Sequence, residues 1–179
     1  MMEEDEKIVE ERKLKELKEI EEMVKSKMSE RERIWTLGKI SSVIICKLAK
    51  HLIKNIGYSS VATIIQRELR EIGKKDAKKI IDLFGFEIKN VSDASKVLKI
   101  AALLLGMNLD VKGNETIITE CPYGESVKEF PFDQPFYCNV CREYCKGLIE
   151  GTLGDGFVFI QSSSISKGDS FCAFRIVKK

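Results

Sequence analysis

The strongest constraint in this sequence is a change of hydrophobic period near Met107. Before it, apolar residues recur at three-and-four spacing through one segment after another; beyond it, short β-branched runs appear between turn residues. A chain that opens helical, then sets short strands around one more helix, is expected to fold as α+β, with N-terminal helices packed on an antiparallel sheet. Its 179 residues suit one domain with a real core, or a small domain with a helical appendage. The expected division is an amphipathic arm over 1–33 and a single α+β domain over 34–179, whose part 107–179 carries most of the cysteines.

Residues 6–33 place Leu14, Leu17, Ile20, Val24 and Met28 near one helix face, as a solvated arm or a partner helix. A second helix is predicted from Ile34 to about Asn55, stopped by Gly57. Ser59 and Ser60 read as a cap for Val61–Ile72, with Gly73 ending that helix and a short one following from Lys75 to Phe84, closed by Gly85. Ser92 or Asp93 is expected to cap a helix through Leu105, closed by Gly106. Strands are predicted at 108–111 and 116–119 around Lys112-Gly113-Asn114, then at 157–160 and 171–177. Between the strand pairs, Cys121 and Pro122 open a loop holding Phe130, Pro131, Phe132, Pro135, Phe136 and Tyr137, and 139–153 returns to helical spacing.

Several function classes drop out. The 30 basic and 28 acidic residues are spread through the chain, with no basic block to track phosphates, so no nucleic acid is expected. The most apolar uncharged stretch, 100–109, is far short of the roughly 20 residues a bilayer needs, so no membrane span is expected. Glu3, Glu4, Asp5 and Glu6 stand where a secretory signal carries positive charge, and a cytoplasmic chain is expected. His51 is the only histidine and no partner motif surrounds it, which leaves little for a nucleophilic triad. Gly147, Gly151, Gly154 and Gly156 follow no strand-loop-helix order and lack the Gly-Lys-Ser/Thr ending of a phosphate loop; they are expected to let a helix pack closely and turn.

Cysteine carries the chemistry. Cys121, Cys138, Cys141, Cys145 and Cys172 crowd the last third, and Cys46 alone lies outside it, on an apolar helix stripe that reads as core. In a reducing compartment, thiolates at short spacing are more often metal ligands than disulfides, and Cys138-x-x-Cys141 has the spacing of a zinc chelate. The competing reading is buried cysteines acting as small hydrophobes. The aromatic residues Phe130, Phe132, Phe136, Tyr137, Tyr144, Phe157, Phe159, Phe171 and Phe174 read equally as core or as the lining of an apolar cavity.

The same C-terminal residues carry a resemblance. Cys138, then Cys145-Lys146-Gly147-Leu148-Ile149-Glu150-Gly151-Thr152-Leu153-Gly154, then Phe157-Val158-Phe159-Ile160, then Gly168-Asp169-Ser170-Phe171-Cys172-Ala173-Phe174, resemble the 4-vinyl reductase domain family over about residues 105–179. The resemblance implies a fold similar to subunits of the trafficking-complex (TRAPP) type, an archaeal-type stand-alone member, and a structural zinc beside an apolar small-molecule pocket. In phenol-sensing members the ligand positions fall, in this chain, on Cys138, Gln161, Ser164 and Cys172. Gln161 and Ser164 lack the negative charge that a zinc ligand supplies. Cys121 and Cys141 are therefore expected to complete the shell with Cys138 and Cys172, and Cys145, one turn beyond Cys141, is the substitute.

These readings lead to a zinc-stabilised domain that binds or senses an apolar or aromatic small molecule, a binding domain rather than an enzyme, working as a homodimer through the arm or with a separate partner. The alternative is a hydrolase or reductase acting on a small heterocycle, since a thiazoline-carboxylate hydrolase family has similar cysteine-bearing segments. Cys121 or Cys145 would then be the nucleophile and Glu143, Glu150 or Asp169 the acid/base group. A third reading is an assembly module like the trafficking subunits.

Overall fold

In the computed structural model, residues 26–112, 114–129 and 136–179 are described, with positions 15, 19, 20 and 22–24; for 127–129 and 136–140 this extends to the backbone alone. Leu14, Leu17, Phe130, Pro131, Phe132 and Pro135 lie outside the described residues, as do the side chains of Phe136, Tyr137 and Cys138. The chain divides into two compact units, Met1–Ile34 and Trp35–Lys179.

In the first unit, the described positions from 15 to 27 are helical, and Met28 and Ser29 interrupt the helix expected across 6–33. The interruption is a capping box. Ser29 Oγ accepts from the Glu32 N–H at 3.2 Å, and the Glu32 carboxylate accepts from the Ser29 N–H at 2.7 Å and the Ser29 hydroxyl at 2.8 Å. Helix α1, Glu30–Ile56, starts there.

Helix α2 runs unbroken over Tyr58–Phe84, in place of the two helices expected on either side of Gly73. Its N-cap is Gly57 with no side-chain cap, so Ser59 and Ser60 lie inside the helix; Gly85 ends it in the left-handed conformation at φ 65°. Gly73 stays helical because its lack of a Cβ is needed sideways. Helix α5, Phe136–Leu153, crosses at that point, and a Cβ on Gly73 would stand 2.3 Å from the Tyr144 carbonyl oxygen. The closeness is mutual: a Cβ on Gly147 would meet the Arg70 carbonyl oxygen at 2.1 Å, and one on Gly151 the Lys74 carbonyl oxygen at 2.7 Å. Two of the glycines expected to permit close packing do so, and Gly154 turns the chain at φ 79°.

Helix α3, Val91–Leu104, is capped by Asn90 rather than by Ser92 or Asp93: Asn90 Oδ1 accepts from the N–H groups of Ser92 at 2.8 Å and Asp93 at 3.3 Å. Strands β1, Asn108–Lys112, and β2, Glu115–Glu120, form the expected hairpin. Pro122 then opens a helix, α4, Pro122–Glu129, where a loop was expected; proline suits a first helical turn, whose N–H groups have no partner. Strand β3, Phe157–Ser163, a 3-10 turn at Ile165–Lys167 and strand β4, Cys172–Lys178, complete the chain.

The sheet is antiparallel in the order β1-β2-β4-β3, with the last strand paired on both sides. Its inner face presents Leu109, Ile118, Phe159, Phe174 and Ile176, and the Phe159 and Phe174 rings stack at 4.6 Å. Helix α5 packs against α2, α3 and β3, which buries Leu148 and Ile149 almost completely. Burial of that degree contributes about 1.5–3 kcal/mol for each such side chain. The result is the α+β architecture expected from the sequence.

Candidate functional site

Three segments bring sulfur to one end of the sheet. Cys121 follows the last residue of β2, Cys172 opens β4 opposite Ile118 of β2, and Cys141 and Cys145 lie one turn apart on α5. Cys145 and Cys172 are buried, and Cys121 and Cys141 are half-buried. The Gly124 N–H donates to Cys121 Sγ at 3.3 Å, and the Ile165 N–H donates to Cys172 Sγ at 3.3 Å. Backbone donors aimed at sulfur favour the thiolate, the form a metal takes.

The surroundings act in the opposite direction. Burial first, and then the neighbouring Cys141, push the Cys121 thiol well above its ordinary range, against the pull of the Gly124 and Tyr123 N–H groups. The hydrogen bond with Cys145, followed by burial, raises Cys141 likewise. Tyr123, half-buried beside both sulfurs, is pushed up to about 12 by burial and by Cys141 and Cys121. A thiol kept protonated in this way is a weak nucleophile, and a metal must displace its proton to bind.

Cys121 thus lies within electrostatic reach of Cys141 and Cys172, while Cys145 joins the group through Cys141. Among the described residues, no three His, Cys, Asp or Glu side chains stand close enough together to hold a metal ion. An all-sulfur donor set has the chemistry of a structural zinc site, yet Cys121, Cys141, Cys145 and Cys172 are not gathered into a metal-binding group. Gln161 and Ser164, the two non-cysteine residues weighed as ligand positions, are engaged elsewhere. The Gln161 amide donates to the Ser163 carbonyl at 3.1 Å; Ser164 shares a 3.0 Å hydrogen bond with Ser166, and its N–H donates to Asp169 Oδ2 at 2.6 Å. Cys46 is buried against Ile45 and Tyr123, as its apolar stripe indicated.

The carboxylates weighed as acid/base groups are engaged as well. Glu143 pairs with Lys146 at 2.6 Å, and Glu150, almost wholly buried, accepts from Arg70 Nε at 2.8 Å and pairs with Lys74 at 3.4 Å. The Arg70 hydrogen bond holds the Glu150 carboxyl below its usual range. Tyr144 donates to Asp76 at 3.1 Å, a second polar tie between α2 and α5.

A cleft of about 100 Å³ opens between α2, α5 and β3. Ile149, Phe157 and Phe159 supply apolar surface, and Arg70, Lys146 and Lys179 stand among its lining residues with Glu150. The space is smaller than the cavities of about 150 Å³, lined by aliphatic and aromatic groups, that accept a whole benzene ring. Sequence reasoning singled out Phe157, Phe159 and Glu150 but not Arg70 or Lys146. The available signal was Arg70 and Lys74 one turn apart and Glu143 and Glu150 two turns apart, a spacing that matches facing helical ridges.

No family model matches the sequence, and no curated protein matches it. Solved structures with the same fold include the phenol-responsive sensory domain of the transcription activator PoxR with phenol, at 14% identity and TM-score 0.56, covering 75% of this chain and 73% of that one. Another is trafficking protein particle complex subunit 3 from Naegleria fowleri, covalently bound to palmitic acid, at 18% identity and TM-score 0.55, covering 79% of this chain and 96% of that one. The four-stranded antiparallel sheet with its helices has the fold of these two proteins.

Proposed function

We propose that this chain is a binding domain for an apolar or aromatic small molecule, with a zinc ion bracing the end of the sheet. The observation that carries the ligand is the cleft between α5 and β3, where Phe157, Phe159 and Ile149 offer apolar surface beside Arg70 and Lys146, themselves ion-paired with Glu150 and Glu143. A flat ring with a hydroxyl or carboxylate edge suits that combination. The PoxR domain in complex with phenol and the trafficking subunit carrying palmitic acid support the reading, since both are proteins of this fold holding apolar molecules.

Cys121, Cys138, Cys141 and Cys172 would hold the zinc, with Cys145 able to replace one of them. Four sulfurs leave no open position for water, so the ion supplies a structural crosslink rather than a reactive centre. A reducing compartment such as the cytoplasm keeps those thiols available.

The test is titration of the 15N-labelled chain with phenol and with benzoate. Amide shifts concentrated at Ile149, Phe157 and Phe159 are expected, and Phe157→Ala should weaken binding by about tenfold. Spectra unchanged by both probes up to their solubility would overturn the ligand reading.

A further inference from the structure

The two edges of the sheet are finished differently. Hydrogen bonding in an antiparallel pair alternates, so every second residue of an edge strand turns its N–H and C=O away from the sheet. The Lys179 N–H donates to the Gly156 carbonyl at 2.9 Å, one step beyond the facing pair Phe157 and Lys178, and the Ile176 N–H donates to the Asn114 carbonyl, toward β2, at 3.1 Å. Val158 and Ile160 therefore bond to β4, and Phe157 and Phe159 point their backbone groups out of the edge, where no described residue bonds them. The same alternation turns Leu109 and Val111 outward on β1. That edge is sealed: the Lys99 ammonium donates to the Leu109 carbonyl, and Asp110 and Lys112 place charges on either side of Val111. Both devices keep a strand edge from pairing. Strand β3 has neither. From 157 to 163 it carries no charge and no proline, Ile160 is half exposed, and the bulge between Gln161 and Ser163 ends the free run.

The geometry points to β3 as the docking edge for an extended acidic segment of a partner protein, added along 157–161 as a fifth strand, antiparallel like its neighbours. The outward groups of Phe157 and Phe159 repeat at about 7 Å, the spacing at which another strand offers matching N–H and C=O groups. The side chains around the edge define what that strand carries. On the face of the sheet away from the helices, Val158 and Ile160 call for apolar residues opposite them. On the helix side, positive charge is in surplus. Glu143 is shared by Lys146 at 2.6 Å, Arg142 at 3.7 Å and Arg70 at 3.9 Å, and Glu150 is shared by Arg70 and Lys74. Lys178, opposite Phe157, is exposed and in no ion pair among the described residues. Acidic residues facing Phe157 and Phe159, alternating with apolar ones facing Val158 and Ile160, complement both sides. A second copy of β3 would instead bring more lysine and arginine to an edge that lacks carboxylates. The inference does not rest on the small-molecule reading, because the backbone of the edge holds the strand.

The experiment titrates the 15N-labelled full chain, at low salt, with an end-capped hexapeptide of alternating glutamate and valine. The Phe157 and Phe159 amides are expected to shift most and to gain protection from hydrogen exchange, while those of Leu109 and Val111 stay unchanged. Ile160→Lys, which sets a charge on the edge, should weaken binding about tenfold or more with an unchanged far-UV spectrum. A peptide N-methylated at its glutamates keeps the inference falsifiable if that variant fails to fold: it has lost the donors that face β3 and should not bind the parent chain. Equal binding by the N-methylated peptide, equal binding by a lysine–valine peptide, equal shifts on β1, or spectra unchanged up to about 2 mM peptide would overturn it. So would protection of the Phe157 and Phe159 amides that rises with the concentration of the chain alone, which would assign the edge to a second copy.

Discussion

Replacing Gly147 by alanine tests the helix crossing on which the cleft depends. The added Cβ would stand 2.1 Å from the Arg70 carbonyl oxygen, where ordinary contact begins at 3.4 Å. Backbone cannot swing aside as a side-chain tip can, so α2 and α5 must part by about 1.3 Å at that point. A gap of 0.5–1 Å already forfeits a quarter to a half of a dispersion contact. The opening would also loosen the approaches at Gly73 and Gly151 and stretch the Arg70–Glu150 pair. Overpacking of this kind costs about 1–3 kcal/mol, occasionally more. Several contacts move together here, and alanine returns only about 1 kcal/mol of helix propensity. The expected net loss is about 3 kcal/mol in urea denaturation followed by circular dichroism, or a fall in Tm of about 6–12 °C. Gly156→Ala is the control, because nothing lies within 4 Å of its added Cβ; it should stay within about 0.5 kcal/mol of the parent. A Gly147→Ala chain as stable as the parent would refute the close-approach account of the crossing.

Metal analysis of freshly purified protein should return one zinc per chain, lowered in Cys121→Ser and in Cys172→Ser but retained in Cys46→Ser; the absence of zinc from the parent would remove the metal from the proposal. Glu150→Gln should cost about 2–4 kcal/mol, because it leaves the Arg70 and Lys74 cations without their buried partner, with the low end favoured by Arg70's 41% exposure. The Glu150 carboxyl is held low by Arg70, so its contribution is present above its unfolded-state pKa and disappears as pH falls through the lower folded value. An acid limb of the pH–stability curve identical in parent and Glu150→Gln would contradict that. Asn90→Ala should cost about 1 kcal/mol through loss of the cap on α3, read in the same denaturation assay.

The strands were legible because an unbroken run of β-branched residues favours extended backbone, as in Thr116-Ile117-Ile118-Thr119. Helix boundaries were less so. Gly73 looked like a stop because glycine disfavours helix, yet the reason for it lies on α5, about seventy residues away along the chain. Pro122 looked like a turn because the helix it opens is only 8 residues long. The Ser29–Glu32 box was readable in principle, but an apolar stripe running right up to it, to Met28, hid the break. For the site, spacing placed Cys141 and Cys145 on one face of a helix, and the fold brings Cys121 into the field of Cys141 and Cys172. The cationic residues of the cleft could not be assigned from the sequence, since Arg70 and Lys146 acquire meaning only once α2 is known to cross α5.

The position of β4 between β2 and β3 bears on how the protein is made. Seven residues from 172 to 178 supply the hydrogen-bonding partners of two otherwise open strand edges, and they are synthesised after everything they join. Until they leave the ribosome, the nascent chain holds a hairpin and a lone strand with no route to a continuous sheet. Closure is therefore a late, nonlocal event, and chains stalled before residue 172 would expose adhesive edges to their neighbours on a polysome.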